Sequence, residues 1–136
     1  MWANKPGIVE VDVSRARDEE LPAVIRIYRQ HNGDCNGVGC GNTFVARNES
    51  LGVVGAVTVK QIQPGWVSLR TMGVEPELQR RGVGSQLLGK VIEEIKREGN
   101  RTITVDLDIH INGQKEFFSN FNFKKLDSDS MVLELK

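Results

Sequence analysis

A chain of 136 residues is enough for one domain with a buried core and too short for two large lobes. Its 18 Lys and Arg are balanced by 18 Asp and Glu, so the formal net charge is zero and no long-range field recruits nucleic acid or an anionic membrane. Apolar residues at 39% and charged residues at 26% fit a soluble globular fold and exclude disorder.

The most apolar stretch, LGVVGAVTV over 51–59, is interrupted by glycine and far short of the roughly 20 residues a membrane-spanning helix needs. The opening MWANKPGIVEVD lacks a basic start followed by an apolar run, so a cytoplasmic location is expected. Cys35 and Cys40 could form at most one bridge, and in a reducing compartment such a pair stays reduced.

In chain order, Ile8 to Val13 alternates apolar and acidic residues, the period of a half-buried strand. Asp18 is placed to cap a helix with Glu19 and Glu20 in its first turn, and Leu21, Val24, Ile25 and Tyr28 then mark one apolar face. Residues 31–42, HNGDCNGVGCGN, read as a glycine-rich loop. Thr43 to Arg47, Leu51 to Gln61 and WVSLRTMGV over 66–74 are three strands joined by tight turns, expected to be antiparallel. From Gly82 the period changes: Val83, Leu87, Leu88, Val91, Ile92 and Ile95 stripe a long helix that ends near Gly99. Thr102 to Ile109 is a strand, Gln114 to Asn120 a short helix, and Phe121 to Leu126 with Ser130 to Leu135 a closing strand pair. The predicted order is β-α-β-β-β-α-β-α-β-β, one α/β (α+β) domain over 1–136 with a mixed, mostly antiparallel sheet flanked by helices.

Chemistry concentrates in VEPELQRRGVGSQLL, 74–88, where a strand end, a proline and a glycine-bearing turn precede the long helix. The first N–H groups of a helix have no partner within it and carry the positive end of the helix dipole, so they suit a phosphate. Gly82 and Gly84 let that backbone approach a ligand, while Gln79, Arg80 and Arg81 add hydrogen bonds and charge. The dinucleotide pattern GxGxxG fails because Leu87 stands at its last position. The phosphate loop GxxxxGK[ST] fails because Val91 follows Gly84–Lys90 where Ser or Thr would bind magnesium.

The string QRRGVGS after VEP, set in this element order, resembles the acetyl-CoA loop of the GNAT superfamily of N-acetyltransferases, whose pattern is Gln or Arg, two residues, Gly, one residue, Gly or Ala. The resemblance spans nearly the whole chain. It implies that the main chain of Met72, Gly73 and Val74 bonds the pantetheine arm of acetyl-CoA where that strand splays from its neighbour. It also implies that the amides of Arg80, Arg81, Gly82, Val83, Gly84 and Ser85, with the Gln79 side chain, hold the diphosphate. Asn112 lies near an asparagine that approaches the cofactor arm in many relatives, and equally suits the N-cap of the short helix.

Acyl transfer to an amine needs a neutral nucleophile, donors for the developing oxyanion and a proton for the leaving thiolate. The family usually supplies that proton from a tyrosine in the short helix. Here FFSNFNF, 117–123, puts Phe118 in that position, which leaves water or Ser119. The only tyrosine, Tyr28, sits on an apolar stripe and reads as core. In TITVDLDIH, Thr102, Thr104, Asp106, Asp108 and His110 share one strand face, so Asp108 or His110 is the candidate base; the same face would also attract a cationic substrate. Glu75 and Glu77 read as solvated.

His31, Cys35 and Cys40 are too loosely spaced for a zinc site, and no metal is expected. The loop holding them is expected to border the acceptor pocket, as the resemblance implies. The expected activity is direct transfer of acetyl from acetyl-CoA to a primary amine, a small molecule or a peptide N-terminus, without nucleic acid or membrane partners; a homodimer stays open. The alternative is a non-catalytic acyl-CoA-binding or sensing domain, suggested by Phe118, and a third reading is an interaction module built on the 31–42 loop.

Overall fold

A computed structural model describes residues 7–107 and 114–135. The elements are β1 (Asp12–Arg15), α1 (Leu21–Gln30), β2 (Thr43–Asn48), β3 (Gly52–Gln63), β4 (Trp66–Val74), α2 (Val83–Arg97), β5 (Thr102–Asp106), α3 (Gln114–Ser119), β6 (Lys124–Asp127) and β7 (Ser130–Glu134). This is the predicted order. The seven strands form one sheet in the order β1-β2-β3-β4-β5-β7-β6, flanked by helices. β1 with β2, β2 with β3, β5 with β7 and β6 with β7 pair antiparallel, and β4 with β5 pairs parallel. A parallel neighbour requires a crossover, and α2 supplies it.

Contacts cluster into two compact units, 1–58 with 71–92, and 59–70 with 93–136; β3, β4 and α2 run through both. In the first unit Val24, Ile27 and Tyr28 of α1 pack with Ala16, Val45 and Ala56, all buried. Ile27 takes the inward place expected of Ile25, which is half-buried. At the start of α2, Val83 and Leu87 close on Gly55, where a Cβ would come within 3.2 Å of Val83. In the second unit Ile103 and Val105 are buried while Thr104 is half-buried and accepts the Trp66 indole N–H at 2.9 Å, so the predicted two-faced strand is seen as far as Asp106.

Three local expectations are corrected. The first strand begins at Asp12 rather than Ile8, because the main chain of Val9 and Val11 bonds to Arg81 and Gln86 instead of to a strand. The second closing strand matches, but its partner starts at Lys124 because Phe121 and Asn122 form the turn that ends α3, with Asn122 at φ 71. Asp18 caps nothing: a 3-10 turn over Asp18–Glu20 leads into α1, and the Glu20 carboxylate accepts the Arg17 N–H at 2.8 Å. No helix among the described residues is long and apolar enough to cross a membrane.

Glu20 is also the buried half of the main ion pair of the first unit. Arg47 grips both its oxygens, at 2.7 Å from Nη2 to Oε1, and donates to the Ser14 hydroxyl and the Arg15 carbonyl. The Arg47 hydrogen bond, more than the burial that opposes it, lowers the Glu20 carboxyl from 4.5 to about 2. A depressed carboxylate stabilises the fold fully above the unfolded value of 4.5 and loses that contribution as pH falls towards about 2. Glu20→Gln is expected to cost on the order of 2–3 kcal/mol at pH 7 and to flatten the fall in melting temperature across this acid window. An unchanged acid slope in thermal melts of the variant would show that other carboxylates carry it.

Candidate active site

β4 ends at Val74, Pro76–Leu78 form a 3-10 turn, and the chain reaches α2 through Gln79, Arg80, Arg81 and Gly82. Arg80 at φ 66 and Gly82 at φ 81 both lie in the left-handed region, which a residue with a side chain enters at a cost. These two reversals fold the connection into a loop. The Arg81 N–H is spent inside it on the Leu78 carbonyl at 3.2 Å. The N–H groups of Gly82, Val83, Gly84 and Ser85 take no acceptor among the described residues; the next, that of Gln86, bonds the Gly82 carbonyl at 3.1 Å. Four successive unpaired amides stand at the positive end of a 15-residue helix, beside the exposed side chains of Gln79, Arg80, Arg81 and Ser85, and such a group of donors could hold an anion.

The parallel ladder of β4 with β5 covers Trp66–Leu69 against Thr102–Val105, and β4 runs on to Val74 without a β5 partner in that ladder. Met72 and Val74 are half-buried and Gly73 is buried. α1 lies close to this end of β4. A Cβ on Gly73 would come within 3.0 Å of Ile27 and 3.3 Å of His31, and the His31 Nε2 sits 2.7 Å from the Val74 carbonyl. Asn32, at φ 56, turns the chain out of α1, and the Gly33 N–H closes on the Tyr28 carbonyl at 2.8 Å. The Thr71 hydroxyl donates to the Asp34 carbonyl at 2.7 Å, so the loop after α1 is tied to β4.

Tyr28 is fully buried, with its hydroxyl 2.8 Å from that of Thr58, which is 3.0 Å from that of Thr43. Burial pushes the phenol above its ordinary value. It is a core residue with a satisfied hydroxyl, not an exposed acid.

Asp108, His110 and Asn112 lie outside the described residues. Phe118 is buried, edge-on to Phe117 and Phe123 at 5.3 Å between ring centres in each case. Ser119 is exposed and lines a cavity of about 370 Å³ with Lys115, Lys124, Lys125 and an apolar floor of Leu107, Phe123 and Met131. Glu77 is exposed as expected, whereas Glu75 is half-buried: its Oε2 faces Arg26 at 3.4 Å, and its Oε1 is buried without a partner among the described residues. Cys40 donates its thiol to Asp18 at 2.8 Å, and that carboxylate pushes the thiol up, away from thiolate chemistry. Both cysteines are free. Among the described residues no group of three or more His, Cys, Asp or Glu is placed to hold a metal.

Sequence reasoning missed Val9 and Gln86, which bond the back of the loop, and the His31 contact with Val74. No local pattern marks them, because their partners are 43 to 77 residues away.

The acetyltransferase (GNAT) domain family matches residues 39–125. The chain belongs to the GNAT acetyltransferase family. It is similar in fold to a Mycobacterium tuberculosis protein in complex with CoA, at 16% identity and a TM-score of 0.78 over 92% of this chain and 99% of that one. An N-acetyltransferase from Staphylococcus aureus Mu50 is 21% identical, with a TM-score of 0.74 over 93% and 99%. yncA from Salmonella typhimurium, a putative acetyltransferase with acetyl-CoA, is 16% identical, with a TM-score of 0.75 over 93% and 95%. No curated protein matches the chain by sequence.

The placement of Tyr28 makes one prediction. Tyr28→Phe removes a single buried hydroxyl while Thr58 keeps its bond to Thr43, so stability should fall by about 1 kcal/mol in denaturant titration. The rate of acyl transfer at saturating substrates should not change; a large loss of turnover would make Tyr28 the proton donor after all.

Proposed function

We propose that this protein is an acetyl-CoA-dependent N-acetyltransferase that moves acetyl directly from the thioester to a primary amine, of a small molecule or a peptide N-terminus, in a ternary complex. The observation that carries the reading is the run of unpaired amides from Gly82 to Ser85, which follows the left-handed turn at Arg80, includes the one at Gly82 and opens α2. These amides take the diphosphate of coenzyme A, with Gln79, Arg80 and Arg81 beside them. The main chain of Met72, Gly73 and Val74, beyond the β5 ladder, is the edge for the pantetheine arm; with the Val74 carbonyl already facing His31 and the Gly73 carbonyl turned to Gly55 of β3, the groups left for that arm are the Val74 N–H and those of Met72.

Asp108 or His110 is the candidate to take the proton of the amine, and Asn112 the candidate for a contact to the cofactor arm. The thiolate is protonated by water or by Ser119, since Phe118 has no proton to give. No step needs a metal. Free thiols at Cys35 and Cys40 suit a reducing, cytoplasmic setting. The buried ring of Phe118 favours one second reading, a domain that binds acyl-CoA and senses it without turnover.

Gly84 stands in helical conformation, outside the left-handed set, so a side chain there is tolerated by the backbone. Gly84→Glu sets bulk and negative charge against the diphosphate. Calorimetric titration should show the dissociation constant for CoA raised by a factor of about 100 or more, roughly the cost of a charge-assisted contact replaced by repulsion, with the melting temperature nearly kept. An unchanged constant removes the loop assignment. Release of free thiol from acetyl-CoA with a panel of amines and peptides separates the two readings: turnover on any acceptor supports the enzyme, and tight binding without thiol release on all of them supports the sensor.

A further inference from the structure

The segment before β1 does not pair as a strand; it braces the loop. The Val9 N–H donates to the Arg81 carbonyl at 2.9 Å. The Gln86 side-chain amide donates to the Val9 carbonyl at 2.7 Å and to the Gly82 carbonyl at 3.2 Å, and its Oε1 accepts the Val11 N–H at 3.2 Å. Gln86 thus uses both amide hydrogens and its oxygen, and joins the first turn of α2 to residues 75 and 77 positions earlier in the chain. Ile8 completes the contact: its side chain sits 3.1 Å from where a Cβ on Gly82 would stand.

The consequence follows from the geometry of the peptide bond. In a planar trans peptide the carbonyl of one residue and the N–H of the next point in opposite directions. Fixing the Arg81 carbonyl on Val9 therefore aims the Gly82 N–H the other way, and fixing the Gly82 carbonyl on Gln86 does the same for the Val83 N–H. A carbonyl rotated to the front would meet an anion with its negative end. The Gly82 carbonyl is also held by the Gln86 main-chain N–H at 3.1 Å, so the carbonyl that depends on the brace is that of Arg81, held by Val9, whose own carbonyl is fixed by the Gln86 side chain.

We propose that Gln86, acting with the main chain of Val9, is a positioning residue for the anion loop, holding its carbonyls back so that its amides face the ligand. The proposal rests on the reading that these amides bind coenzyme A. It is tested on the full chain with CoA as the titrant, in the wild type, Gln86→Leu and Gln86→Ala, with Tyr28→Phe as a control for a general loss of stability. Both Gln86 variants should weaken CoA binding by about tenfold, as expected for freeing a loop that must then be ordered on binding. The loss should appear in the KM for acetyl-CoA far more than in kcat, while Tyr28→Phe, though less stable, should bind CoA as the wild type does. If both Gln86 variants bind within twofold of the wild type, the inference fails and the function stands. If the wild type itself binds no CoA, both the function and this inference fall.

Discussion

The structure turns on the first turn of α2, where the backbone has four N–H groups and no acceptor for them. Every α-helix has this deficit, and most meet it with a capping side chain or water. Here no Ser, Thr, Asp or Asn stands before Val83 to take the amides inward; the preceding residues are Arg80, Arg81 and Gly82. The left-handed turns at Arg80 and Gly82 keep the approach tight and bring two cationic side chains to a place where the helix dipole is already positive. Positive groups gathered about unpaired donors are unfavourable for folding alone. They make sense as a site held ready for an anion, with the strain offset elsewhere in the fold.

That offset comes from behind the loop and from β4. The N-terminal segment takes the Arg81 carbonyl, and Gln86 takes that of Gly82 and connects the segment to α2. α1 reaches β4 at Gly73, where the missing Cβ lets Ile27 and His31 approach, and His31 faces the carbonyl of Val74. The glycine at 33 has the same purpose on the loop side, since a Cβ there would meet Thr71 at 2.9 Å. Close packing of this kind makes the end of β4 stiff, and stiffness is what an edge needs if a flexible ligand arm is to pair with it at low entropic cost.

Much of this was legible in the sequence, for physical reasons that differ by element. The period-3.6 stripe from Val83 to Ile95 and the alternation of Thr102 to Asp106 are local patterns, and both elements appear where they were expected. The loop could be read because glycine spacing before an amphipathic helix is local too. Partners distant in the chain could not. Nothing near Ile8–Val13 says that its main chain will bond Arg81 and Gln86 rather than a neighbouring strand, and the alternating pattern pointed to a longer β1. Glu20 looked like one of several acids at a helix start, and only the fold reveals Arg47 beside it. Glu75 looked solvated because it stands at the start of the turn before α2, yet one of its oxygens is buried.

Phe118 tests whether the missing tyrosine argues against catalysis. General-acid help of this type contributes about 10²- to 10⁴-fold, while orienting the reactants accounts for about 7–11 kcal/mol of a barrier. Under the proposed function the leaving group is a thiolate, whose conjugate acid has a pKa near 8.5, so it departs without full proton transfer far more readily than an amine or alkoxide would. Losing a phenol at this position therefore removes the smaller contribution and leaves the larger one in place. The ring that replaces it is buried edge-on between Phe117 and Phe123, where a hydroxyl would need a partner of its own. The aromatic cluster stabilises the end of α3, and under the proposed function the chemistry depends on how firmly the loop and β4 would hold the thioester in place.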